Sequence, residues 1–258
     1  MRRYSNLKIT KSRNRVFASK RNAGKQNKRA ANSKSVPIEE GYFYNVTTGL
    51  HGDQFDTDPL STTYGQRRGN DNGDFFEWID ELLRVKEDGP YEGYRTYTTW
   101  VDAPVHLNHD EDYTCGFVAD SIPNFEDKSV EMVMATDVEK EPELCEQINN
   151  NEQTDVSMGC DLIWSICTHC GNICFNDADW CNCLVDFKGR KHPQTGRWVA
   201  EMLKDITGVE MSHITVGVGA DPVAKNGEVL FKPELSRRSA AVKVNEMQAY
   251  YKQVLGIL

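Results

Sequence analysis

No stretch of this 258-residue chain carries more than a few consecutive apolar side chains; Val216–Ala220 is among the longest. A bilayer-spanning helix needs about 20 such residues, so no membrane span is expected. The first residues are basic, but no apolar run follows them, and a secretory leader is not expected either. Without export, the eight cysteines read as thiols or metal ligands rather than as disulfides. Acidic residues are missing altogether from residues 1–38. That segment holds twelve of the thirty Lys and Arg and none of the thirty-nine Asp and Glu, so an arm of +12 precedes a body of −21.

The arm also has few large apolar residues, so it buries too little surface to offset chain entropy and is expected to be disordered on its own. Its composition suits nucleic acid or an acidic protein surface, or a merely solubilising tail. No aromatic ladder is interleaved with its charges as a base-stacking platform would require. Residues 39–93 read as an N-terminal extension. It contains a polar, Gly/Asp/Asn-rich loop over 51–74 and a helix from Phe75 to Leu83 with Asp74 as N-cap. A third region, 94–258, holds the rest of the body.

Within that body, Tyr94–Val101, Val130–Thr136, Asp155–Met158 and His213–Val218 predict extended segments. Glu141–Asn149, Arg197–Ile206 and Ala240–Leu255 predict helices, with Pro142 tolerated in a first turn. There is no internal repeat and no regular strand–helix alternation, which indicates an α+β class.

Two groups of residues carry chemistry. Cys167-Thr168-His169-Cys170 followed by Cys181-Asn182-Cys183 is a paired-cysteine pattern, with Gly171 suited to a tight knuckle. Four thiolates at tetrahedral geometry would form a closed, structural zinc site, with Cys160, Cys174, His169 and His192 as spare ligands. Buried or redox-active thiols are the other reading. The second group is dispersed: His106 and His109 lie in Pro104–Asp110, and Ser157 lies in Thr154–Cys160. A serine followed closely by Gly159 can expose its hydroxyl, and a histidine within reach could take its proton. By spacing alone, a surface histidine and a structural serine are the default reading of these residues.

Four blocks, in order, resemble the prohead (capsid maturation) serine proteases of tailed bacteriophages, which share a fold with the herpesvirus assemblins. They are Val101–Asp110 (VDAPVHLNHD), Val130–Asn149 (VEMVMATDVEKEPELCEQIN), Asp155–Cys160 (DVSMGC) and Ser212–Ala224 (SHITVGVGADPVA). The cysteine cluster resembles an insertion found after the serine block in some phage members, here over 160–192. The last ligand there is often His, where this chain has Cys183.

The resemblance implies a mixed β-barrel or sheet with flanking helices, a nucleophile at Ser157 and a general base at His109, with His106 as competitor. Two histidines three apart on an extended chain would face opposite ways, so only one should reach Ser157. The third member is taken as His213 ahead of Glu210, with amides near Met158 and Gly159 as oxyanion donors. The activity implied is endoproteolysis of scaffold and major capsid proteins, with self-cleavage, in a homo-oligomer inside the procapsid in the host cytoplasm. The arm would dock on an acidic scaffold or be lost on activation. Two other readings remain at this stage: a catalytically inactive structural or scaffold-associated protein of the same fold, and a zinc-containing nucleic-acid-binding protein. Against the latter, Asp161, Asp177, Asp179 and Asp186 surround the cysteines and would repel phosphate.

Overall fold

The computed structural model describes residues 38–217, 219, 221 and 224–233. The basic arm through residue 37 and the helix expected over 240–255 lie outside the described residues. Among the described residues no helix is long and apolar enough to cross a membrane.

The class is α+β, dominated by sheet. Seven strands form the main sheet: β1 (Tyr42–His51), β3 (Pro104–Leu107), β4 (Thr114–Asn124), β5 (Ser129–Asp137), β6 (Val156–Asp161), β12 (Thr207–His213) and β13 (Asn226–Phe231). Their order is β13-β1-β5-β4-β3-β12-β6, and only the β3–β12 pair is parallel. The sheet is not a closed barrel. Its ends meet at one bridge, Asp155 with Lys225, and Asn226 N donates to Thr154 O at 2.7 Å. β1 lies inside this sheet, pairing with β5 from Tyr42↔Asp137 to His51↔Ser129, so the segment expected as an extension belongs to the main body.

Strand alternation separates two faces. On one, Met132, Met134, Val105, Val156 and Met211 join Trp78, Leu82, Trp100 and Leu203 in the largest core. At the end of that face, helix α1 (Pro142–Asn149) seats Leu144, Cys145 and Ile148 against Phe43. The opposite face buries Tyr44, Val46, Val133, Ala135 and Leu230.

Between β6 and β12 the chain makes a second, four-stranded sheet. It contains β2 (Asp74–Phe75), β7 (Trp164–Cys167), β8 (Ile173–Cys174) and β11 (Glu201–Lys204), ordered β2-β11-β7-β8. A short helix α2 (Asn182–Phe187) and a two-stranded hairpin, β9 (Arg190–Lys191) with β10 (Trp198–Val199), complete the excursion. It is therefore longer than the cysteine pattern alone suggests, and it takes β2 from the N-terminal segment in a parallel pair.

Several local expectations gave way to tertiary context. Arg197–Ile206 forms β10 and β11 rather than a helix. Its apolar run, with Val199, Ala200 and Leu203 all buried, fits a strand covered on both faces as well as a helix. Tyr94–Val101 contains a 3₁₀ turn at Thr96–Trp100 rather than a strand. There Thr98 Oγ1 donates to Arg95 O and Thr99 Oγ1 to Thr96 O, both at 2.7 Å, and these local bonds favour the turn. The helix expected over Phe75–Leu83 is one wide turn, Trp78–Leu82. The strand expected to begin at His213 instead ends there.

The same 3₁₀ turn holds a bulge in β12. Register passes from Gly208↔Cys160 directly to Glu210↔Gly159, leaving Val209 over. Gly208 N donates to Thr99 Oγ1 at 2.7 Å, and the Trp100 ring occupies the space of a Gly208 side chain, 2.2 Å from where a Cβ would sit. Gly208→Ala is therefore expected to cost about 1–3 kcal/mol through overpacking. Urea unfolding should show a lower midpoint at unchanged slope, and an unchanged midpoint would refute the constraint.

Candidate active site and metal centre

β12 runs between β3 and β6, with Ser212 opposite His106 on one side and Ser157 on the other. Directly opposed residues share a face, so Ser157, Ser212, Glu210 and Gly159 lie together on the face turned away from the Met132–Met211 core. His213, one residue on, points the other way.

His109 reaches this face from the turn that follows β3. Asn108 and His109 both adopt left-handed backbone, at φ 51° and 61°, so the chain doubles back instead of running extended. His106 and His109 therefore do not share one straight strand, and the expected alternation of faces does not hold between them. Asn108 fixes the turn: its Oδ1 accepts from Thr215 N and Val216 N at 2.8 and 3.0 Å, and its Nδ2 donates to Thr215 Oγ1 at 2.8 Å. His106 is buried, with Nδ1 3.0 Å from Tyr113 O, and belongs to the β3–β4 connection.

His109 Nδ1 lies 2.8 Å from Glu210 Oε1, with the imidazole 45% exposed and the carboxylate nearly buried. Ser212 Oγ donates to Glu210 Oε2 at 2.8 Å and accepts from His109 N at 3.2 Å. Ring, carboxylate, hydroxyl and backbone thus form a closed circuit. A carboxylate against Nδ1 keeps the proton there and leaves Nε2 as the basic nitrogen. The hydrogen bond to Glu210 raises the His109 pKa above its usual value, partial burial works against it, and the carboxylate charge adds to the rise.

Gly159 has a role that its spacing from Ser157 did not reveal. A Cβ there would lie 2.5 Å from Glu210 Oε1 and 2.8 Å from its Cγ, so the glycine is what lets the carboxylate lie across the strand. Met158 and Gly159 belong to the strand itself, opposite Met211 and Glu210, and no tight turn with converging amides follows Ser157. Ser157 lines a small cleft of about 40 Å³ with Leu50, Asn70, Phe76 and Asp221. Among the described residues no hydrogen bond joins Ser157 to His109.

His213 is not brought to this group; Glu210 takes the place beside His109. His213 is wholly buried, Nε2 3.1 Å from Thr136 Oγ1, and Asn226 Nδ2 donates to its Nδ1 at 3.3 Å. Asn226 Oδ1 in turn accepts from Asn45 Nδ2 and Thr47 Oγ1, a polar patch inside the apolar face. Burial pushes the His213 pKa down to about 4, so the ring is neutral.

In the excursion, Cys167, Cys170, Cys181 and Cys183 bring their sulfurs within 4.8 Å of one another, and Cys170 Sγ is 3.4 Å from Cys181 Sγ. Gly171, at φ 77°, turns the chain so that its N–H donates to Cys167 O at 2.9 Å. Cys181 stands at the start of α2 and Cys183 in its first turn. Burial raises the Cys170 thiol, but hydrogen bonds from Asn172 N and the neighbouring thiols outweigh it and hold the pKa below its ordinary value. The four thiols are placed to hold a metal ion, and an all-sulfur tetrahedral set is compatible with structural zinc. Cys160 packs on the main core, and Cys174 belongs to the small core under the knuckle with Leu184 and Val199. Neither joins the cluster.

The two histidines affect stability in opposite directions. Between about pH 6.5 and 4 the unfolded chain takes up a proton that folded His213 refuses, so stability falls on acidification. His213→Asn should remove up to about 1.4 kcal/mol per pH unit of that slope, read from urea midpoints at successive pH values. The raised pKa of His109 gives stability that is complete below its unfolded value and lost as pH rises through the folded one. In an NMR titration, His109 should titrate above about 6.5, and both Glu210→Gln and Gly159→Ala should bring it back down. A midpoint indifferent to both changes would exclude the pairing. Compared with protein-family models, curated proteins and solved structures, the chain matches none.

Proposed function

We propose that this chain is a serine endopeptidase using Ser157, His109 and Glu210, acting in an assembling phage capsid on scaffold and coat proteins and on itself. The observation that carries the reaction class is the His109–Glu210 pair, set on the same sheet face as Ser157. The capsid setting, the oligomer and the partners rest on the four sequence blocks.

In this reading His109 Nε2 accepts the Ser157 proton as Oγ attacks a peptide carbonyl. The imidazolium then protonates the leaving amine, and water, deprotonated by the same nitrogen, releases the acyl group. Glu210 stabilises the imidazolium and holds its tautomer, while Ser212 orients Glu210 through Oε2. The reading requires His109 Nε2 and Ser157 Oγ to come within hydrogen-bond reach when substrate binds. A zinc ion on Cys167, Cys170, Cys181 and Cys183 would fix the knuckle and take no part in the acyl transfer. The missing Ser157–His109 hydrogen bond is also the observation that favours a second reading, a structural capsid component of the same fold without catalysis.

Co-expression with the scaffold protein, followed by intact mass, separates the two. The wild type should give discrete new termini, and Ser157→Ala none. Glu210→Gln should slow processing on the order of 10⁴-fold, whereas His213→Asn should change it by less than about tenfold. Intact chains in both wild type and Ser157→Ala, still bound to scaffold, would support the structural reading. Equal cleavage in both would exclude Ser157 as nucleophile.

A further inference from the structure

Beside the four-cysteine cluster lies a second group of ligating atoms. His169 sits in the turn after β7, Cys183 in the first turn of α2, and His192 directly after β9, where the β9–β10 hairpin turns. All three are half-buried, and one donor atom from each lies within 4.8 Å of the others. Cys183 belongs to both groups.

We propose that His169, Cys183 and His192 bind a divalent transition-metal ion of their own, with the Cys183 thiolate bridging to the ion of the four cysteines. One edge of a tetrahedral coordination shell is already in place. Cys183 Sγ and His169 Nδ1 are 3.5 Å apart. That equals the edge expected, about 3.5 Å, when Zn–S is about 2.3 Å and Zn–N about 2.0 Å. His169 Nε2 lies 2.8 Å from Thr195 Oγ1. With that hydroxyl accepting, the ring carries its proton on Nε2 and turns its Nδ1 lone pair toward the sulfur, the arrangement ligating histidines adopt. The Gln194 N–H reaches His192 Nδ1 only at 3.4 Å, a weak bond that competes little with a metal.

A rival explanation makes His169 a hydrogen-bond donor to a Cys183 thiolate already held by the first ion. That role needs a single ring. Here a second imidazole lies beside the first, stacked at 4.4 Å and 16° with the edge of Phe187 at 4.9 Å. Because a metal–nitrogen bond lies in the ring plane, His192 must turn out of this stack to share the ion. The hairpin tip, Pro193–Arg197, is exposed and has no apolar core of its own, so an ion would tie it to α2 and to the turn after β7. Nitrogen and thiolate donors select zinc-like ions over magnesium or calcium. Three protein ligands leave a fourth position open to water or to a donor from a bound partner, in contrast to the closed four-cysteine set.

The bridge rests on the four-cysteine reading, so the experiment counts ions in a way that separates the two sites. Full-length protein is saturated with zinc, dialysed and assayed for metal per chain. Cadmium-substituted wild type is examined in parallel by ¹¹³Cd NMR, which needs no variant. Two ions and two cadmium resonances are expected, falling to one of each in His169→Ala and in His192→Ala, with circular dichroism unchanged. One ion lost in His192→Ala but kept in Cys167→Ser would uphold the histidine site and remove the four-cysteine site. An ion count that neither histidine substitution alters would overturn the proposal and leave the rings as outer hydrogen-bonding partners. A metal-free protein would overturn both sites.

Discussion

Trp100 lies against Gly208 where a side chain would otherwise stand, and Thr99 binds the N–H of the same glycine. That contact seats the bulge in β12, and the bulge decides which residues of the strand face which way. Beyond it, Glu210 and Ser212 stand opposite Gly159 and Ser157, and His213 turns into the core. A slip of one residue would exchange these faces, placing a carboxylate among methionines and a neutral histidine in solvent. The cost of burying that carboxylate keeps the register unique, so the site inherits its geometry from packing at some distance along the strand.

The site itself is built from short-range economies around a single carboxylate. Glu210 lies flat because Gly159 has no side chain, and its two oxygens divide between the His109 ring and Ser212. Ser212 then returns a contact to the His109 backbone, held in a left-handed turn by Asn108. Both conformational concessions, a glycine in a strand and two non-glycine residues at positive φ, fall where the polar groups converge. Such concentration is common where structure serves chemistry rather than stability.

The excursion between β6 and β12 follows a different logic. Its own core is small, chiefly Cys167, Cys174, Leu184 and Val199, and two devices supplement it. Lys188 lies between Asp74 at 2.7 Å and Glu201 at 2.5 Å, with its ammonium over the Trp180 ring. This ties the residue after α2 to both β2 and β11. The converging thiols would supply the second device, since a bound metal adds folding free energy that so small an apolar core cannot.

Composition and spacing were enough to reveal the charge division between arm and body, the α+β class, the strand over Val130–Thr136, the helix over Glu141–Asn149 and the four converging cysteines. Each is a local property: a charge run, a period, or ligands close in sequence. The partner of His109 was not legible. Glu210 and His213 are three residues apart and equally able to bond an imidazole, and choosing between them requires knowing the face on which Ser157 lies. That depends on strand register, set by a bulge whose cause is a tryptophan more than a hundred residues away. The strand character of Arg197–Ile206 was hidden for the same reason. A short apolar run covered on both sides has no period to read, and only its pairing with β7 and β2 decides that it is extended.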